Sequence, residues 1–233
     1  MRRLKTILSI QDMDSLRLLR ANLRAAGYDI VTASGGRDVL DKASDNSCDL
    51  LVIGETLPDM PGQDFLKILR AASNIPVIMM GLKEDSAGVV AALNAGADDF
   101  LSYPYSTDEF FARVGAVLRR TVRESFRMED GKKRIGSLII DLSQRQVVVS
   151  GKATSLTPTE FKLLGYLADR PDQVVSHEEL LVNVWGEEYG NYVHYLRVGI
   201  GRLRQKIEKD PTSPSYLVTC SGVGYMLQDM VNR

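Results

Sequence analysis

Five basic residues, Arg197, Arg202, Arg204, Lys206 and Lys209, stand in a thirteen-residue run whose one acid is Glu208. Leu196, Ile200, Leu203 and Ile207 recur through the same run at spacings of four, three and four, which sets one apolar stripe along a helix. His194, Val198, Gly201, Arg202 and Gln205 then lie opposite the stripe, with Arg197 and Arg204 on its flanks. Cations at this density neutralise phosphate, and a forked guanidinium matches base edges, so the helix carries the chemistry of a major-groove reader. A solvated basic face satisfies the same pattern, and the helix alone leaves both readings open. Gly199 and Gly201 each cost ~1 kcal/mol against Ala inside a helix. They imply close backbone approach to a ligand, or a helix that firms up on binding. Other chemistry is sparse: Cys48 and Cys220 form neither a metal spacing nor a disulfide framework. No nucleophile–base pair, metal cluster or nucleotide loop is visible, so neither an enzyme nor a cofactor is expected.

The elements that must position this helix divide the chain in two. In the first half, apolar runs at 6–10, 29–31, 49–53, 76–80 and 100–102 read as strands. Between them, 14–26, 37–43, 63–71, 86–95 and 107–120 read as amphipathic helices. This alternation implies a doubly wound parallel sheet, a fold that builds its sites at the carboxyl ends of its strands. The charge-dense segment 121–134 breaks the rhythm and reads as a linker. Beyond it, strands are expected at 137–141, 146–150 and 152–155. Thr157-Pro158-Thr159-Glu160 has the form of a capping box with Pro at the first helical position, and Ser176-His177-Glu178-Glu179 repeats the capping pattern. The basic helix follows over about 191–208, and strands at 216–219 and 225–228 flank Ser221-Gly222-Val223-Gly224. Three helices closed by a hairpin make a winged helix. The expected domains are therefore 1–120, an α/β five-stranded parallel domain, and 135–233, a smaller α+β domain.

Charge does not announce a partner. There are 14 basic and 16 acidic residues before Val122 and 15 against 14 after it, so any nucleic-acid site must be local. No run approaches the ~20 apolar residues of a membrane span, and the apolar run after Lys5 is too short for a signal-peptide core. A cytoplasmic location is expected.

Residues 135–228 resemble the winged-helix effector domain of OmpR/PhoB-type response regulators. The matching pieces are Leu156-Thr157-Pro158-Thr159-Glu160-Phe161, Val184-Trp185-Gly186, Arg202-Leu203-Arg204-Gln205-Lys206-Ile207 and Gly222-Val223-Gly224-Tyr225. The run His194-Tyr195-Leu196-Arg197 is most similar to the potassium-responsive, Kdp-type branch. The resemblance implies that the third helix enters the major groove of double-stranded DNA and the wing reaches the minor groove. Carried over by position, Arg202 and Val198 would read bases. Arg204, His194 and Arg197 would touch phosphate or bases, and Thr219 a wing phosphate. The loop 185–191 is the one that can touch RNA polymerase, although Trp185 itself reads as core. Ser221 stands where the family wing usually has arginine, which weakens the expected minor-groove contact.

Residues 1–120 resemble the receiver domain of the same regulators, through Asp49-Leu50-Leu51-Val52-Ile53, Leu57-Pro58-Asp59-Met60-Pro61-Gly62, Ile75-Pro76-Val77-Ile78-Met79-Met80 and Gly96-Ala97-Asp98-Asp99-Phe100. Phosphoryl transfer to such a domain uses a carboxylate nucleophile, two acids for Mg²⁺, a hydroxyl and a lysine. In this chain those positions hold Gly54, Gln11-Asp12, Gly81 and Tyr103, so only Asp12 survives. Strand alternation turns Glu55 away from the pocket. The expectation is a transcription regulator that acts without phosphorylation. The family's dimer face is retained in part, with Asp98, Asp99, Glu109, Arg113 and Arg120 at matching positions, while Val89 and Gly115 replace basic residues. This implies a homodimer. Two alternatives stay open: a phospho-switch that uses a displaced acid, and a receiver that senses a ligand or a protein.

Overall fold

A computed structural model describes residues 3–44, 47–82, 86–121, 132–142, 144 and 146–229. The chain forms two compact units, Met1–Arg119 and Arg120–Arg233.

The first unit alternates strand and helix: β1 (Lys5–Ser9), α1 (Met13–Ala25), β2 (Asp29–Thr32), α2 (Gly36–Ala43), β3 (Leu50–Gly54), α3 (Gly62–Ala72), β4 (Val77–Leu82), α4 (Ser86–Ala95), β5 (Asp99–Tyr103) and α5 (Thr107–Thr121). The strands pair in parallel in the order β2-β1-β3-β4-β5. All five residues of β3 are buried, as a parallel strand covered on both faces requires. Leu8, Leu50, Val52, Ile78, Met80 and Leu101 pack with Leu19 and Leu23 of α1 and Phe110, Val114 and Val117 of α5. The alternate strand residues Ile7, Leu51, Ile53, Val77 and Met79 are also buried, so helices cover the opposite face too. The ends of β1, β3, β4 and β5 therefore meet at one edge.

The second unit runs β6 (Lys132–Ile135), β7 (Leu138–Asp141), β8 (Gln146–Val149), β9 (Lys152–Thr154), α6 (Pro158–Ala168), β10 (Val175–Ser176), α7 (His177–Val184), a 3-10 turn (Glu187–Tyr189), α8 (Val193–Ile207), β11 (Leu217–Cys220) and β12 (Gly224–Leu227). The first four strands form an antiparallel meander. The last pair is the wing, and β10 pairs with β12 to make its sheet three-stranded.

Two strands depart from the expected pattern. β6 begins inside the segment read as linker, because Lys-Lys-Arg-Ile has one apolar residue and takes its order from pairing Lys132 with Asp141 through Ile135 with Leu138. β10 has two residues, too few to show a period. The rest of the expected linker, residues 122–131, and the expected turn at Ser143 lie outside the described residues. Both helix starts follow the expected capping chemistry. The Thr157 hydroxyl accepts the Glu160 N–H, the Glu160 carboxylate accepts the Thr157 N–H at 2.9 Å, and the Ser176 hydroxyl accepts the Glu179 N–H at 3.1 Å.

Candidate functional site

Helix α8 buries Leu196, Ile200, Leu203 and Ile207, the expected stripe. At its start the rings of Tyr189, Tyr192 and Tyr195 pack with centroids 5.5–5.8 Å apart. The two glycines do different work. A Cβ on Gly199 would lie 3.2 Å from the Trp185 ring and 3.3 Å from Leu163, so this glycine lets the helix pack closely on its own core. A Cβ on Gly201 would meet nothing within 4 Å. Trp185 is buried, as the sequence implies.

The cations separate into pinned and open groups. Glu160 is buried at the start of α6, and its carboxylate pairs with Arg202 at 2.9 Å and Lys206 at 2.7 Å. Burial by itself would raise the Glu160 pKa; the two cations outweigh this and hold it below the ordinary carboxylate value. Arg202 is thus drawn inward to a buried acid and does not stand on the open face. Val198 is also buried, four residues before Arg202 and three after the buried Tyr195. Both were expected to read bases; in the free chain Arg202 pairs with Glu160 and Val198 is buried. Arg204 donates to the Leu217 carbonyl at 2.6 and 3.0 Å and to the Thr219 hydroxyl at 2.7 Å, which ties α8 to β11. The Glu208 carboxylate accepts the N–H groups of Ser215, Tyr216 and Leu217 at 2.7–2.9 Å and fixes the start of the wing. His194 is half-buried, and burial lowers its pKa.

The open face of α8 carries Arg197, Gly201 and Gln205 at i, i+4 and i+8, with Arg197 and Gln205 exposed. Gln205 was absent from the expected contacts, although its four-residue spacing from Gly201 placed it there. Beside this face stands exposed Thr219, and the wing tip turns through Gly222 at φ +74° to the exposed Val223.

In the first unit, Gln11, Asp12, Gly54, Gly81 and Tyr103 do converge. With Ile10, Ser15, Glu55, Thr56, Met80 and Leu82 they line a cavity of about 570 Å³ at the strand ends. Asp12 is the N-cap of α1 and accepts the Ser15 N–H at 2.8 Å, which lowers its pKa. Tyr103 packs its ring 5.2 Å from Tyr105, and burial raises its pKa. Among the described residues, the charged ones of the lining are Asp12 and Glu55, both acids.

Glu55 departs from the alternation argument. β3 ends at Gly54, so the pleat no longer dictates its direction. The Glu55 N–H donates to the Met80 carbonyl at 2.7 Å and its carbonyl accepts the Gly62 N–H at 2.8 Å. Its side chain turns into the cavity.

Two family models match the chain. "Response regulator receiver domain" covers residues 7–115, and "Transcriptional regulatory protein, C terminal" covers residues 151–227. The transcriptional regulatory protein KdpE of Mycobacterium tuberculosis is 40% identical over 213 residues, 91% of this chain and 94% of that protein. The chain belongs to the transcriptional response regulators. The DNA-binding response regulator MtrA of Mycolicibacterium smegmatis is 38% identical to this regulator over 220 residues, 94% of this chain and 95% of that one. Among solved structures, response regulator DrrB of Thermotoga maritima, an OmpR/PhoB homologue, has a TM-score of 0.51 and 28% identity. It covers 97% of this chain and 100% of its own. A mutant of RitR has a TM-score of 0.80 and covers 97% of this chain and 99% of its own; at 24% identity it shows the fold alone.

The residues of the regulator's expected dimer face form pairs within the chain. Asp98 is buried and accepts from Arg70 at 2.9 Å and from the Val77 N–H at 3.0 Å. Asp99 is buried and accepts from Arg113 at 3.1 Å and from the Phe100 N–H at 2.7 Å. Arg113 also pairs with Glu109 at 3.0 Å. A buried carboxylate must be paired, and here the partners lie within the same unit. Arg120 is buried and counts with the second unit. Among the described residues, no helix is long and apolar enough to cross a membrane.

Proposed function

We propose that this regulator binds double-stranded DNA through the open face of α8 and the wing, and controls transcription without phosphorylation of its receiver. The observation that carries the DNA reading is the ridge Arg197–Gly201–Gln205, held by a helix whose remaining cations are anchored to protein. Arg suits guanine edges and Gln suits adenine, while a glycine between them allows the backbone to come close. Arg204, Glu208 and Glu160 act as positioning residues. They orient the ridge and the wing, and Arg204 leaves Thr219 at the edge of the same surface. The DNA-binding activity named for MtrA agrees with this reading.

Phosphorylation independence rests on the cavity. The end of β3 is a glycine, the end of β4 offers Gly81, and Tyr103 stands at the end of β5. Among the described residues the charged groups lining the space are two carboxylates, which would repel a phosphoryl group. A homodimer built on α4, β5 and α5 would depend on apolar contact. The acids Asp98 and Asp99 are consumed internally, and α4 has no charged residue in Ser86–Ala95. Glu187 and Glu188, exposed beside buried Trp185 and Tyr189, are the groups of the 185–191 loop that RNA polymerase would meet.

Selection of bound fragments from random duplex DNA, followed by gel shift, tests the reading. Arg197→Ala and Gln205→Ala should each relax preference at one base position. A selected sequence bound equally by both variants and by the wild type would defeat the assignment.

A further inference from the structure

The cavity at the strand ends holds a carboxylate that the phosphorylation chemistry of the family does not use. Glu55 follows the last residue of β3, and its backbone is fixed from both sides by Met80 and Gly62. Its Oε1 accepts the Leu82 N–H at 3.4 Å, a long bond to the end of β4. Its Oε2 lies over Gly81, where an added Cβ would sit 2.1 Å from Oε2 and 2.6 Å from Cδ. No side chain larger than hydrogen at position 81 can share that space with Glu55. Gly81 thus leaves the space that the Glu55 carboxylate occupies, beside the Phe100 ring at 2.8 Å from the same point.

We propose that Glu55 is a resident anion which links the end of β3 to the end of β4 and holds the receiver permanently in the state that favours DNA binding. A phosphoryl group joined to the end of β3 would bring anionic oxygens to the same place. Here the anion comes with the chain, on a side chain long enough to reach over Gly81 from the next position. A carboxylate accepts backbone N–H groups as a phosphoryl oxygen does. The arrangement also excludes an incoming anion, because Glu55 and Asp12 already give the cavity its charge. Glu55 touches neither DNA nor α8 chemistry, so it is a positioning residue. The inference rests on the reading that the receiver is not phosphorylated.

The test uses the full-length chain labelled with ¹⁵N. Hydrogen exchange of the Leu82 amide is read beside DNA affinity on a selected fragment, in wild type, Glu55→Ala, Glu55→Gln and Gly81→Ala. Glu55→Ala should speed Leu82 exchange at least about threefold and weaken DNA binding by a similar factor, since one exposed hydrogen bond contributes ~1 kcal/mol. Glu55→Gln should retain most of the protection, because its amide oxygen accepts the same N–H. Gly81→Ala should also speed Leu82 exchange by displacing the carboxylate, with a further effect of its own because its Cβ would lie 2.8 Å from Phe100 Cζ. Unchanged Leu82 exchange in Glu55→Ala would overturn the proposal, as would faster exchange with unchanged DNA affinity. Whole-protein mass before and after acetyl phosphate keeps the two readings apart. A gain of one phosphoryl group would defeat phosphorylation independence, whereas the Leu82 data judge Glu55 on their own.

Discussion

The two units have treated the same inheritance in opposite ways. In the second, the cations and acids of the DNA-reading assembly remain and are engaged: Glu160 holds Arg202 and Lys206, Arg204 holds the wing strand, and Glu208 holds the wing's first turn. In the first, the sheet and its helices persist, and Asp12 is the one residue of the expected phosphate-handling set that the sequence retains. Gly54, Gly81 and Tyr103 stand where a nucleophile, a hydroxyl and a lysine would be expected. A fold and a site are separable, because a parallel sheet needs only buried apolar strands, whereas a reaction centre needs particular atoms. On the proposed reading, the output surface keeps its chemistry and the input pocket keeps only its shape.

The largest effect that would sharpen this contrast is on the buried acid of the output unit. Glu160→Ala should destabilise the second unit by ~3–5 kcal/mol, since it strands two cations against a buried surface and removes half of a capping box. Urea unfolding followed by the fluorescence of Trp185 measures it; a loss below about 1 kcal/mol would show that the triad is not structural. Next comes Gly199→Ala, whose methyl group would crowd Trp185 and Leu163 at 3.2–3.3 Å. Overpacking of this kind costs ~1–3 kcal/mol. Gly201→Ala, facing open space, should instead raise stability by roughly 0.5–1 kcal/mol. The opposite order in a thermal melt would reverse the assignment of the two helix faces.

Arg197→Ala should weaken specific DNA binding by ~1–3 kcal/mol and relax one base position, with little change in unfolding midpoint. Equal weakening on every sequence would reduce Arg197 to a phosphate contact. The smallest expected effect is on pH dependence. Burial lowers the His194 pKa below 6.5, so its neutral form is the one that fits the fold. Its contribution is complete above pH 6.5 and is lost as the pH falls through the folded value. His194→Gln should flatten that part of the stability profile. An unchanged slope below pH 6.5 would remove His194 from the account.

Much of this was legible in the sequence, for identifiable reasons. Long apolar periods gave all ten elements of the first unit, and the stripe Leu196, Ile200, Leu203 and Ile207 gave the orientation of α8. The capping boxes were visible because their hydrogen bonds are local. What escaped depended on partners distant in sequence. The pairing of Arg202 with Glu160, forty-two positions earlier, does not figure in the helical wheel. The pairings of Asp98 with Arg70 and Asp99 with Arg113 form only through the fold. Glu55 was misdirected by a strand rule applied one residue past the end of the strand. Short β10 and charge-dense β6 had no pattern of their own.

The central claim, an output surface that works without phosphate at the input pocket, is tested most directly by one titration. The purified full-length regulator is titrated onto a selected duplex before and after incubation with acetyl phosphate and Mg²⁺, with Phos-tag electrophoresis of the same samples. The account predicts a single unshifted protein band and the same dissociation constant in both. A shifted band accompanied by tighter DNA binding would contradict it.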